Sequence, residues 1–351
     1  MSQNHWLANA IRIIEADYNR SADTHLIKLD MPAFSDIDIY LKDESTHPTG
    51  SLKHRLARSL FLYALCNGWI KEGMPIIEAS SGSTAISEAY FARLLGLPFI
   101  AVVPVGTAPK KMEQISFYGG RCHQVAATDL CQAAADMAKE MNGHFMDQFT
   151  YAERATDWRG NNNIAESIFS QMSVERFPKP SWIVVSAGTG GTSATIGRYL
   201  RHQQWWQQPS QLCVVDPENS VFYDYYQSGN ASLTIKQGSR IEGIGRPRVE
   251  PSFEAAVIDK MLKVEDNESL AAAHFLSAKL GRLVGGSTGT NFAGVLALAK
   301  EMQQRGEQGS IVTLICDGGE RYQESYFNHD WLLEKGYEVP ERVAAMQSLY
   351  G

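Results

Sequence analysis

The sequence predicts an α/β fold made of two doubly wound, mostly parallel sheet domains with a functional cleft between them, and three observations predict it. Apolar, β-branched runs of five to seven residues recur along the chain and alternate with longer stretches of helical period, as in parallel strands joined by helical crossovers. Three of the strand-to-helix junctions are rich in Gly, Ser and Thr, at the strand C-termini where doubly wound sheets place ligands. The 351 residues, 44% hydrophobic and 20% charged, hold enough apolar material for a large core and for two domains.

Taken in order, Ile37 to Leu41 reads as a strand, Leu52 to Cys66 as a helix stopped by Gly68, and Pro75 to Ala79 as a strand. Helix Thr84 to Leu95, strand Phe99 to Val103, helix Pro109 to Phe117, strand Cys122 to Ala126, helix Leu130 to Met141 and strand His144 to Phe149 follow. A second set opens with strand Trp182 to Ala187, helix Ser193 to Leu200 and strand Leu212 to Val215. It closes with strand Leu262 to Val264, helix Glu268 to Leu280, strand Leu283 to Gly286, helix Thr290 to Met302 and strand Ile311 to Cys316. The polar stretch Tyr151 to Asn163 marks the boundary, and the glycine-bearing segment Asn219 to Pro251 reads as a long functional or mobile loop.

Composition excludes several function classes. Thirty-two basic against thirty-nine acidic residues give a formal charge of -7, which offers no footprint for nucleic acid or an anionic membrane. No apolar run reaches the roughly 18 residues that span a bilayer, and the opening MSQNHWLANAIRIIEADYNR has no basic segment followed by an apolar block, so the expected address is cytoplasmic. Cysteines 66, 122, 131, 213 and 316 are widely spaced and read as reduced thiols. The nine histidines form no cluster with ligand spacing, and no metal is expected.

Strand Trp182 to Ala187 runs into Gly188-Thr189-Gly190-Gly191-Thr192 and then a helix, which brings backbone N–H groups and a positive helix end to where a phosphate could sit. No G-x-x-x-x-G-K-[ST] occurs, which leaves a dinucleotide or a smaller phosphorylated cofactor. The dinucleotide reading rests on Gly188, Gly190 and Asp216, at a strand end about where a ribose hydroxyl is held; Ser193 replaces its third glycine. The plainer alternative is that the glycines only let strand turn closely into helix. Ser80-Ser81-Gly82-Ser83-Thr84 joins strand to helix with hydroxyls and amides suited to a carboxylate, or simply to capping. Gly285-Gly286-Ser287-Thr288-Gly289-Thr290 is a third such turn.

His47-Pro48-Thr49-Gly50-Ser51-Leu52-Lys53 sets a lysine at a helix start, where the dipole disfavours a cation by roughly 0.3 to 1 kcal/mol. The same field favours a neutral, nucleophilic amine. The bland reading is a solvated lysine beside Arg55.

Together these segments resemble the pyridoxal-phosphate enzymes of the cysteine synthase and cystathionine β-synthase group, also called fold type II or the tryptophan synthase β family, over nearly the whole chain. Pro48 to Lys53 is similar to the family's P-T-G-S-[FVL]-K run, whose lysine holds the cofactor covalently. Ala187 to Thr192 is similar to its phosphate loop, which implies that Gly188, Thr189, Gly190, Gly191 and Thr192 bind the cofactor. Ser80, Ser81, Gly82 and Thr84 resemble the loop that takes the substrate carboxylate, and Gln148 resembles the glutamine that completes that site. Ser287 resembles the serine at the pyridine nitrogen, and Glu242-Gly243-Ile244-Gly245 and Gly319-Glu320-Arg321-Tyr322 match segments bordering the cleft, with Gly243 near the substrate.

Two departures stand out. Ser83 replaces an asparagine that contacts the cofactor's ring oxygen, and Thr150-Tyr151-Ala152-Glu153-Arg154 replaces an N-P-A-N run. With Trp158 to Asn163 and Val215 to Ser220, they resemble a cysteine desulfhydrase branch. The resemblance implies a larger cofactor-phosphate-binding domain of residues 1–40 and 156–351 and a smaller domain, 41–155, carrying the carboxylate loop. It implies a PLP-dependent lyase performing β-elimination on a sulfur amino acid, from L-cysteine to pyruvate, ammonia and hydrogen sulfide. The alternatives are cysteine synthesis from O-acetylserine or another β-replacement, a nicotinamide-dependent oxidoreductase, and a silent binding protein. A homodimer is expected, with Trp6, Ile11 and Ile14 as an apolar helix edge that could cross to a partner.

Overall fold

The computed structural model describes residues 3–20, 23–126, 129–160, 163–203 and 210–351. Along the chain run α1 (Gln3–Asn19), β1 (Leu26–Leu29), β2 (Ile37–Asp43), α2 (Lys53–Cys66), β3 (Ile76–Ala79), α3 (Ser83–Leu94), β4 (Phe99–Pro104), α4 (Pro109–Phe117) and β5 (Arg121–Val125). Next come α5 (Leu130–Glu140), β6 (His144–Phe145), α6 (Gln148–Ala155), α7 (Ile164–Met172), β7 (Trp182–Ser186), α8 (Gly191–Gln203), β8 (Gln211–Pro217) and α9 (Phe222–Ser228). The last are β9 (Lys260–Val264), α10 (Asp266–Leu280), α11 (Gly286–Gln304), β10 (Gly309–Ile315), α12 (His329–Glu334) and α13 (Val339–Tyr350).

These elements form two compact units, one of Met1–Asp23 with His47–Thr156 and the other of Thr24–Thr46 with Asp157–Gly351. The smaller unit holds a sheet of order β5-β4-β3-β6, parallel throughout. The larger holds β1-β2-β10-β7-β8-β9, parallel except for the antiparallel pair of β1 with β2. Each sheet buries its own apolar side chains. Leu60, Phe61, Ile76, Phe91 and Ala101 belong to the smaller core, and Val184, Val215, Leu270, Phe292 and Ile311 to the larger, where α11 lies against β7, β8 and β10.

Four expectations change. The N-terminal helix does not join the larger unit: Trp6, Ala10 and Ile14 are buried in the smaller core, with Ile11 packed against it, beside α2 and α3. Trp6 and Ile14 of its apolar edge are therefore covered within its own unit, and Ile11 is partly covered. The strand expected to reach Phe149 ends at Phe145, because Asp147 turns into the left-handed region (φ +48) and caps α6 by accepting the Thr150 N–H at 3.2 Å. The strand expected over Leu283 to Gly286 does not form. Val284 makes an isolated bridge to Gly318 and Gly286 already starts α11, since glycines 285 and 286 let the chain pass against Asp317 and Tyr326 where any Cβ would collide. The segment from Asn219 to Pro251 contains α9 and folds back on itself, with Val221 N–H on Arg246 O at 2.9 Å and Ile235 N–H on Pro247 O at 2.8 Å. Asn161 and Asn162 of the Trp158 to Asn163 resemblance lie outside the described residues.

Candidate active site

In the smaller unit, Lys53 is the first residue of α2, reached through a turn that Gly50 makes at φ +73. The turn is pinned from several sides. The Thr49 hydroxyl lies 3.1 Å from His54 Nδ1 and 2.9 Å from Ser87 Oγ on α3, and Tyr118 OH donates to Pro48 O at 2.9 Å. Ser51 Oγ accepts the Lys53 N–H at 3.3 Å, and the His54 ring packs on Phe91 at 4.8 Å.

On the same unit, β3 passes into Ser80–Gly82, and α3 begins at Ser83. Ser80, Ser81, Gly82 and Ser83 are half-buried, and Thr84 is buried. Ser80 Oγ accepts the Gly82 N–H at 3.3 Å. The Thr84 hydroxyl donates to Gln148 Oε1 at 2.7 Å, so two residues 64 positions apart, expected to share a carboxylate, are brought together. The first turn of a helix exposes N–H groups with no partner inside the helix, and Ser83 and Thr84 open that turn here.

In the larger unit, β7 leads through Ala187–Gly190 into α8. A Cβ on Gly188 would lie 2.1 Å from Gly243 O, and one on Gly190, at φ +89, would lie 2.6 Å from Ser252 O. Both glycines are thus required by close backbone approach. Gly245 N–H donates to Ala187 O at 2.8 Å, Ser252 Oγ donates to Thr189 O, and Ser193 Oγ donates to Gly190 O at 3.0 Å. Gly243 is placed by this contact against Gly188, at φ +85 and exposed. The result is a braced glycine turn at the N-terminus of a 13-residue helix, with Gly191 and Thr192 in its first turn, which fits a phosphate monoester.

Ser287, 7% exposed, is the second residue of α11. Thr288 Oγ1 accepts the Cys316 N–H at 3.0 Å and Gly285 N–H donates to Asp317 O at 3.2 Å, tying the helix start to the end of β10. Sequence reasoning missed Asp317. It is 5% exposed, Tyr322 OH donates to its Oδ2 at 2.8 Å, and burial pushes its carboxyl up to about 6, opposed by Arg321 and by the Tyr322 bond. A lone acid closing the otherwise apolar and hydroxyl-bearing run of β10 was the available signal.

Asp216 does not suit a ribose. It is 1% exposed, its Oδ2 accepts the Tyr223 N–H at 2.8 Å in the first turn of α9, and burial raises its carboxyl to about 6. Among the described residues no group of three or more His, Cys, Asp or Glu could hold a metal ion, and no helix is long and apolar enough to cross a membrane. All five cysteines are thiols.

Two parallel-stranded units, a braced lysine at a helix start and a glycine cradle fitted to a phosphate monoester define an α/β enzyme of the kind that works with a phosphorylated aldehyde cofactor. The chain belongs to the pyridoxal-phosphate dependent enzyme family, which matches residues 20–317. It is 58% identical over 346 residues to an L-cysteine desulfhydrase, Cds1, of Mycobacterium tuberculosis, covering 97% of this chain and 93% of the relative. It is 28% identical to a putative cysteine synthase of Sinorhizobium fredii, covering 93% and 95% of the two chains. The fold is similar to that of crystalline O-ureido-L-serine synthase in its O-ureido-L-serine-bound mutant form, with a TM-score of 0.74 at 23% identity, covering 96% of this chain and 97% of that one. The enzyme is PLP-dependent.

Proposed function

We propose that the protein is an L-cysteine desulfhydrase, converting L-cysteine and water to pyruvate, ammonia and hydrogen sulfide. The observation that carries this is the 58% identity, along 97% of the chain, to a relative of that activity. The more distant similarity to cysteine synthases supports the β-replacement reading only at 28% identity.

When bound, the cofactor supplies an electron sink for the pair left at Cα. Lys53 would hold its aldehyde carbon and afterwards, as a free amine, take the Cα proton. Gly188 to Thr192 would hold its phosphate through backbone amides, Ser287 would serve the ring nitrogen with a neutral hydroxyl, and Ser83 would serve the ring oxygen. Ser80, Ser81, Gly82, Thr84 and Gln148 hold the substrate carboxylate, and Gly243 borders the substrate. With the Cα proton on Lys53, the Cβ–S bond breaks, the sulfur leaves as hydrosulfide, and hydrolysis of the remaining enamine gives pyruvate and ammonia. The braced setting of Lys53, with Thr49 within bonding distance of both His54 and Ser87, supports its assignment.

We place the enzyme in the cytoplasm as a homodimer, a reading supported by the five thiols and by the prevalence of two-fold assemblies. Light scattering at micromolar concentration should give twice the chain mass, and a monomer mass overturns that part. The function is tested by initial rates with L-cysteine alone and with O-acetylserine plus sulfide. Pyruvate should form from L-cysteine faster than cysteine forms from the second pair, and negligible pyruvate with rapid cysteine formation assigns the protein to cysteine synthesis.

A further inference from the structure

Behind the Ser80–Thr84 loop lie two acids that the mechanism leaves without a task. Glu78, on β3, and Glu88, in the second turn of α3, are both 0% exposed. Glu78 uses both of its oxygens: Oε1 accepts the Ala79 N–H at 2.7 Å and Oε2 accepts the Gln148 N–H at 3.1 Å. Gln148 in turn accepts the Thr84 hydroxyl at 2.7 Å. A single carboxyl thus fixes the backbone at the entrance to the loop and at the start of α6, the two places from which the proposed carboxylate-binding side chains project.

Glu88 is the opposite case, because its two oxygens accept no hydrogen bond at all. An ionised carboxylate buried without donors is among the most costly arrangements in a protein interior, and such a group keeps its proton instead. Burial pushes Glu88 well up, and the charge of Glu78 raises it further. Burial also pushes Glu78 up, against the two backbone N–H bonds that favour its charged form. Glu88 therefore keeps its proton, so that no second charge stands beside Glu78.

We propose that Glu78 is the positioning residue of the substrate-carboxylate site, acting through its two hydrogen bonds to the Ala79 and Gln148 amides. The inference rests on the assignment of Thr84 and Gln148 to the substrate carboxylate. Glutamine at position 78 has one acceptor oxygen in place of two, so it can keep either the Ala79 or the Gln148 amide but not both.

The test measures KM and kcat for L-cysteine, cofactor affinity and far-ultraviolet dichroism on the holoenzyme and its variants. Glu78→Gln should raise KM about tenfold, the loss of one hydrogen bond to a charged acceptor, with kcat within about threefold and cofactor affinity within about twofold of the parent. Parental KM in Glu78→Gln, or a fall confined to kcat, overturns the proposal. Thr84→Val separates the two layers. If it raises KM while Glu78→Gln does not, the positioning role fails and the carboxylate site stands; if Thr84→Val itself leaves KM unchanged, the carboxylate-site assignment fails. Should Glu78→Gln not fold, Glu78→Asp decides, because the shorter side chain withdraws the carboxylate from the Gln148 amide: a raised KM with parental cofactor affinity supports the proposal, and a parental KM overturns it.

Discussion

Replacing Gly190 by alanine puts two costs on the phosphate cradle that can be worked out separately. Gly190 sits at φ +89, and a left-handed backbone costs an L-residue about 1 to 2 kcal/mol. Its new Cβ would lie 2.6 Å from Ser252 O and 2.7 Å from Phe253 Cα, both backbone atoms, and crowding of that kind costs about 1 to 3 kcal/mol. Ser252 cannot easily give way, being 0% exposed with its hydroxyl on Thr189 O. Roughly 2 to 5 kcal/mol therefore falls on the loop as the sum of the two costs. Gly68→Ala is the matched control, since Gly68 has φ +71 but nothing within 4 Å of its Cβ position, and it bears the backbone cost alone. Urea unfolding of the cofactor-free proteins should show Gly190→Ala less stable than Gly68→Ala by the crowding term. Titration with pyridoxal phosphate should show affinity lost by tenfold or more in Gly190→Ala, with tenfold corresponding to about 1.4 kcal/mol, and parental affinity in Gly68→Ala. Equal stabilities together with parental cofactor affinity in both variants would refute the idea that the loop is pressed against residues 252 and 253 to receive an anion.

Lys53→Ala should lose turnover and the visible absorption of the bound cofactor while keeping its far-ultraviolet dichroism; a variant with most of its turnover removes the assignment. Ser83→Asn should move product flux toward β-replacement when a thiol is added, and an unchanged ratio of pyruvate to replacement product means that Ser83 does not set the balance. Burial pushes the His144 imidazole down to about 4, from an ordinary 6.5, so the folded chain refuses a proton that the unfolded chain accepts. Its contribution is intact above pH 6.5 and is lost as pH falls toward 4, amounting to a few kcal/mol at most. His144→Gln should flatten the unfolding free energy between those limits, and identical slopes for parent and variant refute it.

Much of the fold was legible because apolar runs as short as Phe99 to Val103, bounded by turn signals, fit buried strands of a parallel sheet better than helices, and the strand there is found at Phe99–Pro104. The start of α2 at Lys53 was legible from the Pro/Gly turn before it. What escaped has physical reasons. Leu283 to Gly286 has the composition of a strand end, and only the close approach of Asp317 and Tyr326 to the paired glycines shows why the chain coils instead. Periodicity gave α1 an apolar edge without saying that Leu56, Leu60 and their neighbours in the same core would cover it. Glu78 and Glu88 were invisible because acids in a sequence read as solvated faces, and the burial of Glu78 depends on two amides, one of them 70 positions distant.

The interleaving of the two units also sets an order of events during synthesis. By the time residue 156 has been added, all of the chain that builds the smaller unit exists, so its sheet can close early. The larger sheet has no such option: β2 lies between β1 and β10, and Ile39 must wait for Ile311 before it gains its parallel neighbour. Loss of the segment Gly309–Ile315 would strand β1 and β2 as an isolated hairpin-like pair, cut off from β7, while leaving every residue of the smaller unit in place. A truncated chain of that kind should hold a folded smaller unit and an open-edged, aggregation-prone remainder, so that damage near the C-terminal end falls first on the phosphate cradle rather than on Lys53.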